Sequence, residues 1–352
     1  MNTTMYICGH KKFPVPGDPV YKPIQLGAAL HDDLGYIRDD SGDNISELNP
    51  FFSELTGMYW IWKNDHESDN AGICHYRRYF IDDAGRPLTG PDYERLLTSC
   101  DVITSNFIDF GKSCRDAFIE AHNEHDLLIV EDALKKLYPE YADSYDRVFA
   151  DDKNYFANLC CMSKDKFDAY CEWLFSILFE ASEKIDLTGY DVYQTRAYGF
   201  YAERLLRVWI EGSGYNALPV KVGYMAEKTE NVEFREAARV LIMQGRIEET
   251  MDLYNRFIKE RPDVLLPASD ITGNMRKIAR ILYLLKKEKD EGTKRFSSVS
   301  DDLEVLLSYF DRIAAAVKAK DKGTATTDMI KLIEESRLSK EDLELIAKPI
   351  EY

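Results

Sequence analysis

Three residue types stop abruptly part-way along this chain of 352 residues. All six histidines, all seven cysteines and all four tryptophans precede residue 210, and none of them occurs after residue 225. A change of composition of this kind indicates a domain boundary, and the length suits about two domains. We therefore expect a first domain over residues 1–225 and a second region over residues 226–352.

The second region has the apolar spacing of α-helices. Between residues 233 and 261, apolar residues recur at helical intervals, with breaks at Gly245 and Pro262, which predicts two helices joined by a turn. This pair resembles one tetratricopeptide unit, although only one copy is present and such arrays need about three repeats. Further helices are predicted at Met275–Glu288, Ser300–Lys318, Thr326–Glu335 and Ser339–Ala347. The region is either an appendage of the first domain or a module that binds partners.

The first region alternates strand-like and helical patterns, which is typical of an α/β sheet domain. The predicted strands are Tyr6–Cys8, Ala71–Phe80, Asp101–Thr104 and Phe156–Met162. The predicted helices are Asn49–Asn64, Phe118–Tyr138, Lys166–Phe179 and Thr188–Glu211. The first strand leads into a polar loop, and open α/β sheets bind ligands at such strand ends.

Charge and composition exclude several classes of protein. The 62 acidic and 45 basic side chains give a net charge of −17, which argues against a nucleic-acid partner. No apolar run of about 18 residues and no leader pattern is present, so we expect a cytoplasmic protein. The cysteines are odd in number and lack CxxC spacing, which predicts reduced, buried thiols rather than disulfides or zinc knuckles.

The most informative segment is Gly72–Phe80, in which Arg77 and Arg78 follow His75 on an otherwise apolar strand. Burying guanidinium groups is costly unless they meet an anion, and their forks match phosphate oxygens. We therefore expect a diphosphate to bind here. The alternative is an edge strand whose arginines face water and pair with surface carboxylates.

Several separated blocks of the chain resemble one protein family, in the same order. They are Tyr21–Ile24, Asn44–Ser46, Glu54–Asn64, His75–Phe80, His122 with Asp126, Asn158–Met162, Tyr170–Phe175 and Arg196–Leu206. The family is the domain of unknown function 4422, which groups bacterial capsule, exopolysaccharide and O-antigen glycosyltransferases. The resemblance covers roughly residues 5–225 and implies a nucleotide-sugar-dependent transferase with a GT-A-like fold, a single Rossmann-type α/β domain. The predicted fold class is thus α/β, followed by an all-α C-terminal region.

Most GT-A enzymes hold a divalent metal on the donor diphosphate with an Asp-x-Asp motif. At the expected place this sequence has His75-Tyr76-Arg77-Arg78 instead. Fixed cations can stabilise the leaving diphosphate, and the resemblance also implies metal independence. We therefore expect no metal cofactor and assign His75, Arg77 and Arg78 to the diphosphate. The His122-x-x-His125 segment lacks the ligand spacing of a metalloprotease helix.

Further donor contacts are expected at the end of the first strand. Tyr6, His10 and Lys11 occupy the position that receives base and ribose in GT-A-like domains, although ordinary loop chemistry explains them equally well. Glu54 and Trp60 lie on the helix before the arginine segment. They are candidates for substrate contacts, and the alternative is that this helix only supplies core area.

Sugar transfer needs a base for the acceptor hydroxyl, and the candidates are Glu203, Asp191 and His122. His122 and Asp126 are four residues apart in a predicted helix, so they could form a base and its orienting partner, or only a solvated face. Arg196 is a candidate substrate contact, or a structural ion-pair partner of Glu203. The sequence does not choose among these residues, nor between inversion and retention.

The leading hypothesis is a glycosyltransferase that uses a UDP-sugar and extends a cell-surface polysaccharide or a lipid-linked glycan. Galactofuranose or galactose is favoured as the donor sugar by the resemblance only. The partners are then a nucleotide-sugar donor, a glycan acceptor at the inner membrane face, and other polysaccharide assembly proteins. The alternatives are a non-catalytic adaptor with a degenerate sugar-nucleotide fold, and a hydrolase.

Overall fold

A computed structural model describes residues 2–155, 157–265 and 269–349. The chain divides into two compact units, Met1–Met225 and Ala226–Tyr352. The first unit contains a mixed sheet with helices, and the second contains helices. The predicted α/β fold class with a helical C-terminal region is therefore confirmed.

Eleven strands occur in the described part of the first unit. They are β1 (Thr3–Gly9), β2 (Tyr21–Gln25), β3 (Ile37–Arg38), β4 (Asn70–His75), β5 (Arg78–Phe80), β6 (Val102–Ser105), β7 (Ile108–Asp109), β8 (Lys153–Asn154), β9 (Cys160–Ser163), β10 (Ala217–Val220) and β11 (Val222–Tyr224). The main sheet has the order β10-β6-β9-β4-β1-β2-β3, and β5 joins β4 to β11. The strand predicted at Phe156–Met162 begins at a residue outside the described ranges. Ala157 and Asn158 form a turn with positive φ, so the strand β9 begins only at Cys160.

Strand direction decides which residues meet at one edge of the sheet. Strands β1, β2, β3 and β4 are parallel, and β9 runs antiparallel to both of its neighbours, β4 and β6. The residues before β9 therefore lie at the edge where β4 ends. Strand β1 is buried along its whole length, as expected of a strand covered on both faces.

Eight α-helices of the first unit cover the sheet. They are α1 (Asn49–Phe52), α2 (Leu55–Asn64), α3 (Gly90–Leu96), α4 (Cys114–Ile119), α5 (Glu124–Leu137), α6 (Ala142–Ala150), α7 (Lys164–Ser182) and α8 (Ala197–Gly212), all within the described residues. Short 3-10 helices lie at Ala28–Leu30, Ser46–Leu48, Pro139–Tyr141 and Gln194–Arg196. The larger core cluster, which includes Met58, Leu174 and Leu205, joins α2, α7 and α8 to one face of the sheet.

Four predicted elements of the first unit are broken in the structure. The strand predicted at 71–80 is a hairpin, because β4 ends at His75 and the chain turns at Tyr76-Arg77 before β5. The helix predicted at 49–64 is interrupted at Ser53, which has a φ of 50°. The other two are the helices predicted at 118–138 and 188–211.

The helix predicted at 118–138 stops after α4 and restarts at α5. The Asn123 side chain accepts a hydrogen bond from the backbone N–H of His125 at 2.9 Å, which caps the new helix. Similarly, α8 begins only at Ala197. Asp191 accepts from the backbone N–H groups of Tyr193 and Gln194 at 2.9 and 2.8 Å, which stabilises a turn there instead of a helix.

A buried carboxylate fixes the start of α2. Asp39 has no exposed surface and accepts four hydrogen bonds. Two come from the backbone N–H groups of Gly27 and Ala28, both at 2.9 Å. The others come from the hydroxyls of Ser46 and Thr56 at 2.5 and 2.6 Å. Since Thr56 belongs to the first turn of α2, Asp39 ties that turn to the loop after β2.

The second unit contains six α-helices within its described residues. They are α9 (Thr229–Met243), α10 (Ile247–Glu260), α11 (Asn274–Glu291), α12 (Leu303–Asp321), α13 (Thr327–Ser336) and α14 (Lys340–Ala347), with 3-10 helices at Pro262–Leu265 and Phe296–Ser298. Gly245, with a φ of 73°, forms the turn between α9 and α10. Ile278, Leu306 and Phe310 belong to a separate core of this unit. None of the described helices combines the length and the apolar character needed to cross a membrane.

Candidate active site

The hairpin of β4 and β5 carries charged residues to the carboxyl end of the parallel strands. His75 pairs with Arg78 across the hairpin. The backbone N–H of Tyr76 donates to the carbonyl oxygen of Cys8 at 3.1 Å, which fastens the turn to the end of β1. Arg77 is buried and Arg78 is half-buried. Two guanidinium groups thus lie at the edge where open α/β sheets bind ligands.

A buried pair of polar side chains joins three elements at this edge. Asn158, in the loop before β9, donates through Nδ2 to Glu54 Oε1 at 2.8 Å and to the carbonyl oxygen of Gly199 at 3.2 Å. Glu54 and Asn158 are 8% and 3% exposed. Asn158 Oδ1 is also buried and has no hydrogen-bond partner among the described residues. It can therefore accept a hydrogen bond from a ligand hydroxyl.

His75 is held as a neutral imidazole. Its Nε2 lies 2.7 Å from the carbonyl oxygen of Ala157. Because a carbonyl oxygen only accepts, Nε2 carries the proton. Burial lowers the pKa of His75 to about 4; the nearby Glu54 carboxylate raises it in part, and the Arg78 charge lowers it further. The ring is therefore uncharged at neutral pH, and any contact of His75 with a diphosphate is a hydrogen bond rather than an ion pair.

Backbone strain is concentrated around the same residues. Four non-glycine residues with positive φ occur in the described part of the chain, namely Ser53, Ala157, Asn158 and Arg337. The first three surround Glu54, whereas Arg337 ends a helix in the second unit. Left-handed conformations cost about 1–2 kcal/mol for most residues and persist where surrounding structure imposes them, often at functional sites.

Glu203 on α8 has the properties of a general base. Its carboxylate is half-buried and makes no hydrogen bond or ion pair with any residue that the structure describes. Burial raises the pKa of Glu203 to about 7, opposed by the Arg204 charge and reinforced by Glu54; Arg78 and Arg196 lower it. Glu203 therefore lies within electrostatic reach of the hairpin and the buried pair, and it changes charge near neutral pH.

Two arginines flank Glu203 along the chain. Arg196 donates through Nε to Ser53 Oγ at 2.9 Å, so it contacts the segment that carries Glu54. It forms no ion pair with Glu203 among the described residues. Arg204 stacks on the ring of Phe110, with 4.7 Å between its guanidinium carbon and the ring centroid. Arg204 and Asn158 were not among the sequence-predicted site residues; both lie in the quoted blocks, and that was the available signal.

The predicted couple of His122 and Asp126 does not form, because the helix breaks between them. His122 Nδ1 lies 3.1 Å from Gln194 Oε1, and burial lowers its pKa to about 4. Asp126 is buried and accepts a hydrogen bond from the Tyr190 hydroxyl at 2.6 Å. Asp191, the third predicted base, is exposed, and its carboxylate accepts the two backbone hydrogen bonds of the turn described above.

The residues predicted to bind the base and ribose lie in two different environments. Tyr6 is 3% exposed and packs edge-on against Trp60 with 6.2 Å between ring centroids, so its ring belongs to the core and is not open to a base. Trp60 donates through its indole nitrogen to Ser41 Oγ at 2.8 Å. His10 and Lys11 are exposed after β1, and the His10 ring contacts the edge of Tyr76 at 5.8 Å.

In the part of the chain that the structure describes, no three His, Cys, Asp or Glu side chains lie close enough together to hold a metal ion. The cysteines are free thiols, and all but the half-buried Cys100 are buried.

Comparisons with known proteins place this site in context. The apo structure of WbbM, described as a bifunctional glycosyltransferase, is similar to this chain, with a TM-score of 0.58 and 27% sequence identity. The match covers 64% of this chain and 46% of that chain, so this protein spans less than half of WbbM. No curated protein matches the chain. The profile of the family described as domain of unknown function (DUF4422) matches residues 4–214. Since that range is more than half of the chain, the protein belongs to the DUF4422 family.

Proposed function

We propose that this protein is a glycosyltransferase that moves a sugar from a nucleoside-diphosphate sugar to a glycan acceptor. The observation that carries the proposal is the position of Glu203, a carboxylate with a pKa of about 7, within electrostatic reach of Arg78 in the hairpin. A base and fixed cations in one place are what sugar transfer from a diphosphate requires. The similarity to WbbM supports the same assignment.

Arg77 and Arg78 stabilise the leaving group. As the bond between the anomeric carbon and the phosphate oxygen breaks, its electron pair passes to the diphosphate, whose negative charge increases. Guanidinium groups fixed at the end of β4 favour that charge without reorganisation. They take the role that a divalent metal has in other enzymes of this fold, which is why we propose a metal-independent reaction.

Glu203 accepts the proton of the acceptor hydroxyl. As the hydroxyl oxygen forms its bond to the anomeric carbon, its proton passes to the Glu203 carboxylate. A pKa of about 7 leaves enough ionised carboxylate at neutral pH while keeping the group a useful base. Glu54 and Asn158 hold the neighbouring backbone in place, and Asn158 Oδ1 accepts a hydrogen bond from a sugar hydroxyl.

The finer assignments follow the family resemblance. The donor is a UDP-sugar, with galactose or galactofuranose favoured, and the acceptor is a growing cell-surface polysaccharide or its lipid-linked precursor. Such acceptors lie at the inner face of the cell membrane, so the protein works in the cytoplasm, at that surface and beside other polysaccharide assembly proteins.

Nucleotide binding tests the proposal most directly. The thermal midpoint of the full chain is measured with UDP, GDP, CMP and dTDP, each with EDTA or with manganese, because a ligand of the native state raises stability. We expect UDP to raise the midpoint equally in EDTA and in manganese. The double variant Arg77→Ala, Arg78→Ala should lose the shift, while Arg86→Ala, an exposed arginine paired with Asp82, should retain it.

Other outcomes of the nucleotide-binding experiment would change the assignment. A shift that requires manganese would keep the transferase and remove the proposed role of Arg77 and Arg78. No shift with any nucleotide would favour the adaptor. The fate of UDP-galactose then separates a transferase from a hydrolase. A transferase passes the sugar to added glycans, whereas a hydrolase releases it as free sugar.

A further inference from the structure

Two arginines bracket a row of rings beside Glu203. We name Phe110, Phe118, His122 and Phe200 the aromatic wall. The His122 ring stacks on Phe200 at 4.3 Å and lies 4.6 Å from Phe118. The guanidinium of Arg204 covers Phe110 at 4.7 Å and approaches Phe118 at 6.0 Å.

Arg196 lies at the other end of this wall, 5.9 Å from the Phe200 ring centroid. Phe110, His122 and Phe200 are half-buried, so the wall is accessible in part to a ligand. An array of ring faces with a few convergent polar groups is typical of a site for a small molecule.

Arg204 has unused hydrogen-bonding capacity. Its Nε and Nη1 atoms are buried and have no hydrogen-bond partner within the residues that the structure describes. Buried polar groups of this kind are rare, and burying a charge without a partner is costly.

Arg207, three residues further along α8, has the hydrogen-bond partners that Arg204 lacks. Its guanidinium donates to Asp151 at 2.6 Å and to Glu211 at 2.7 Å, and it contacts the carbonyl oxygen of Lys153. Arg204 lowers the pKa of the Glu203 carboxylate through its charge, but among the described residues no carboxylate accepts a hydrogen bond from its Nε or Nη1. The unpaired, buried donors of Arg204 therefore indicate an anion that the protein does not itself supply.

The neighbours of Arg204 indicate which substrate carries that anion. Arg78 and Arg77 act on His75, at the hairpin that we assign to the donor diphosphate, and their charges lower its pKa. Arg204 instead stacks on the aromatic wall, and its charge lowers the pKa of His122. The charges of Arg204 and Arg78 both lower the pKa of Glu203, the carboxylate that we propose as the base for the acceptor hydroxyl.

We propose that Arg204 binds an anionic group of the acceptor, a phosphate or a carboxylate, while the acceptor sugar lies against the aromatic wall. The assignment rests on the proposed function and extends it by naming the acceptor's chemistry. Two sources supply such an oxyanion: the diphosphate of a lipid-linked sugar, and the carboxylate of an acidic sugar. Both match the two-pronged donor geometry of a guanidinium group.

Three synthetic acceptors with one hexose configuration and one alkyl chain test the proposal. The first is the neutral alkyl glycoside, the second its uronic acid, and the third has the alkyl chain linked through a diphosphate. We expect the wild-type protein to prefer one anionic acceptor by at least about tenfold in kcat/KM. Whether the uronic acid or the diphosphate is preferred identifies the source.

The variants isolate the guanidinium group. Arg204→Gln should raise KM for the preferred anionic acceptor by at least about tenfold and remove the preference over the neutral one. Its UDP binding should not change. Arg147→Gln, an exposed arginine 3.9 Å from Glu211, is the matched control and should behave as the wild type. If Arg204→Gln does not fold, Arg204→Lys, which keeps the charge but not the fork, takes its place.

Two results would overturn the inference. Loss of UDP binding in Arg204→Gln would assign Arg204 to the donor. Equal use of all three acceptors by the wild type would mean that no anionic group is recognised. If no nucleotide sugar is turned over at all, the proposed glycosyltransferase function fails, and the role of Arg204 is tested by binding alone. In that case, calorimetric titration decides the role of Arg204. Inorganic pyrophosphate and methyl glucuronide are titrated into the Arg77→Ala, Arg78→Ala variant with and without Arg204→Gln. Equal affinities of the two proteins would reject anion binding by Arg204.

Discussion

His75 Nε2 and the carbonyl oxygen of Ala157 lie 2.7 Å apart although 82 residues separate them in the chain. The contact fixes the tautomer of His75, because only a protonated Nε2 can donate to this oxygen. Nδ1 is then left as an acceptor. A ring in this state can receive a hydrogen bond from a substrate hydroxyl, but it adds no charge to the site.

The neutral state of His75 predicts a pH dependence of stability. Its pKa in the folded protein is about 4, below the ordinary value of 6.5, so the unfolded chain takes up the proton first as pH falls. The free energy of unfolding therefore decreases between pH 6.5 and 4. His75→Gln keeps a donor for Ala157 and cannot titrate, so it should lose about 2 kcal/mol less over this interval. Urea unfolding at pH 7, 5.5 and 4.5 measures this, with His125→Gln, an exposed histidine, as control. Parallel curves for wild type and His75→Gln would contradict it.

Ionisation of Glu203 should govern the rate. Below pH 7, kcat/KM should rise by about tenfold per pH unit and then level off, because only the carboxylate accepts the proton. Glu203→Gln should lower kcat by roughly 10²–10⁴-fold, whereas Asp191→Asn should stay within about threefold of the wild type. An acidic limb that persists unchanged in Glu203→Gln would assign the base elsewhere.

Ionisation of Glu203 should also lower the free energy of unfolding at alkaline pH. The pKa of Glu203 is about 7 in the folded protein and ordinarily 4.5, so Glu203 ionises more easily in the unfolded chain. The free energy of unfolding therefore decreases as pH rises from 4.5 to 7. Glu203→Gln removes this penalty. We expect the variant to be more stable than wild type by roughly 1–3 kcal/mol at pH 8 and by much less at pH 4.5. Denaturant melts at both pH values test this, and a difference that does not depend on pH would refute the titration as its cause.

Two substitutions at Asn158 test the role of its backbone conformation and the role of its side chain separately. Glycine accepts the φ of 51° without strain but loses both hydrogen bonds, so Asn158→Gly should fold and lose at least about tenfold in activity. Asn158→Asp places a carboxylate opposite Glu54 and should lower the free energy of unfolding by about 2–4 kcal/mol at pH 7.5. Adding Glu54→Gln should restore most of that loss, and a strictly additive double mutant would rule out the direct contact.

Asp39 should be needed for the position of α2. In Asp39→Asn an amide donor replaces one acceptor oxygen and faces N–H and hydroxyl donors, so we expect a loss of about 2–4 kcal/mol. Activity should fall as well, because α2 starts directly after Glu54. Asp40→Asn, which weakens a half-exposed ion pair with Arg38, is the control and should cost less than about 1 kcal/mol in the same urea titration.

The broad architecture could be predicted because burial imposes a period on the sequence. The strand and helix pattern and the loss of histidine, cysteine and tryptophan after residue 225 are local properties of the chain. The hairpin at Tyr76-Arg77 could not be predicted, since an apolar and aromatic run suits one long strand as well as two short ones. Pairing of β5 with β11, about 140 residues later in the chain, decides between them.

The side chains of the site show the same limit. Arg204 and Arg207 look alike in the sequence, and only the fold gives one of them carboxylate partners and leaves the other with open donors. The helix expected to join His122 to Asp126 depended on local pattern, and the Asn123 cap ended it. The resemblance to a family identified the blocks that meet, but it did not say which residues within them touch.

The contacts that assemble the site span long stretches of chain, with Asn158 and Glu54 separated by 104 residues and Arg196 and Ser53 by 143. During synthesis, the two arginines after β4 leave the ribosome long before Glu203 on α8 and before β11, the partner strand of β5. Closing such loops is slow and late in folding. On the proposed function, a nascent chain that ends before α8 therefore carries the arginines assigned to the diphosphate but lacks the proposed base. The proposed reaction therefore cannot begin until the whole first unit has been synthesised and folded.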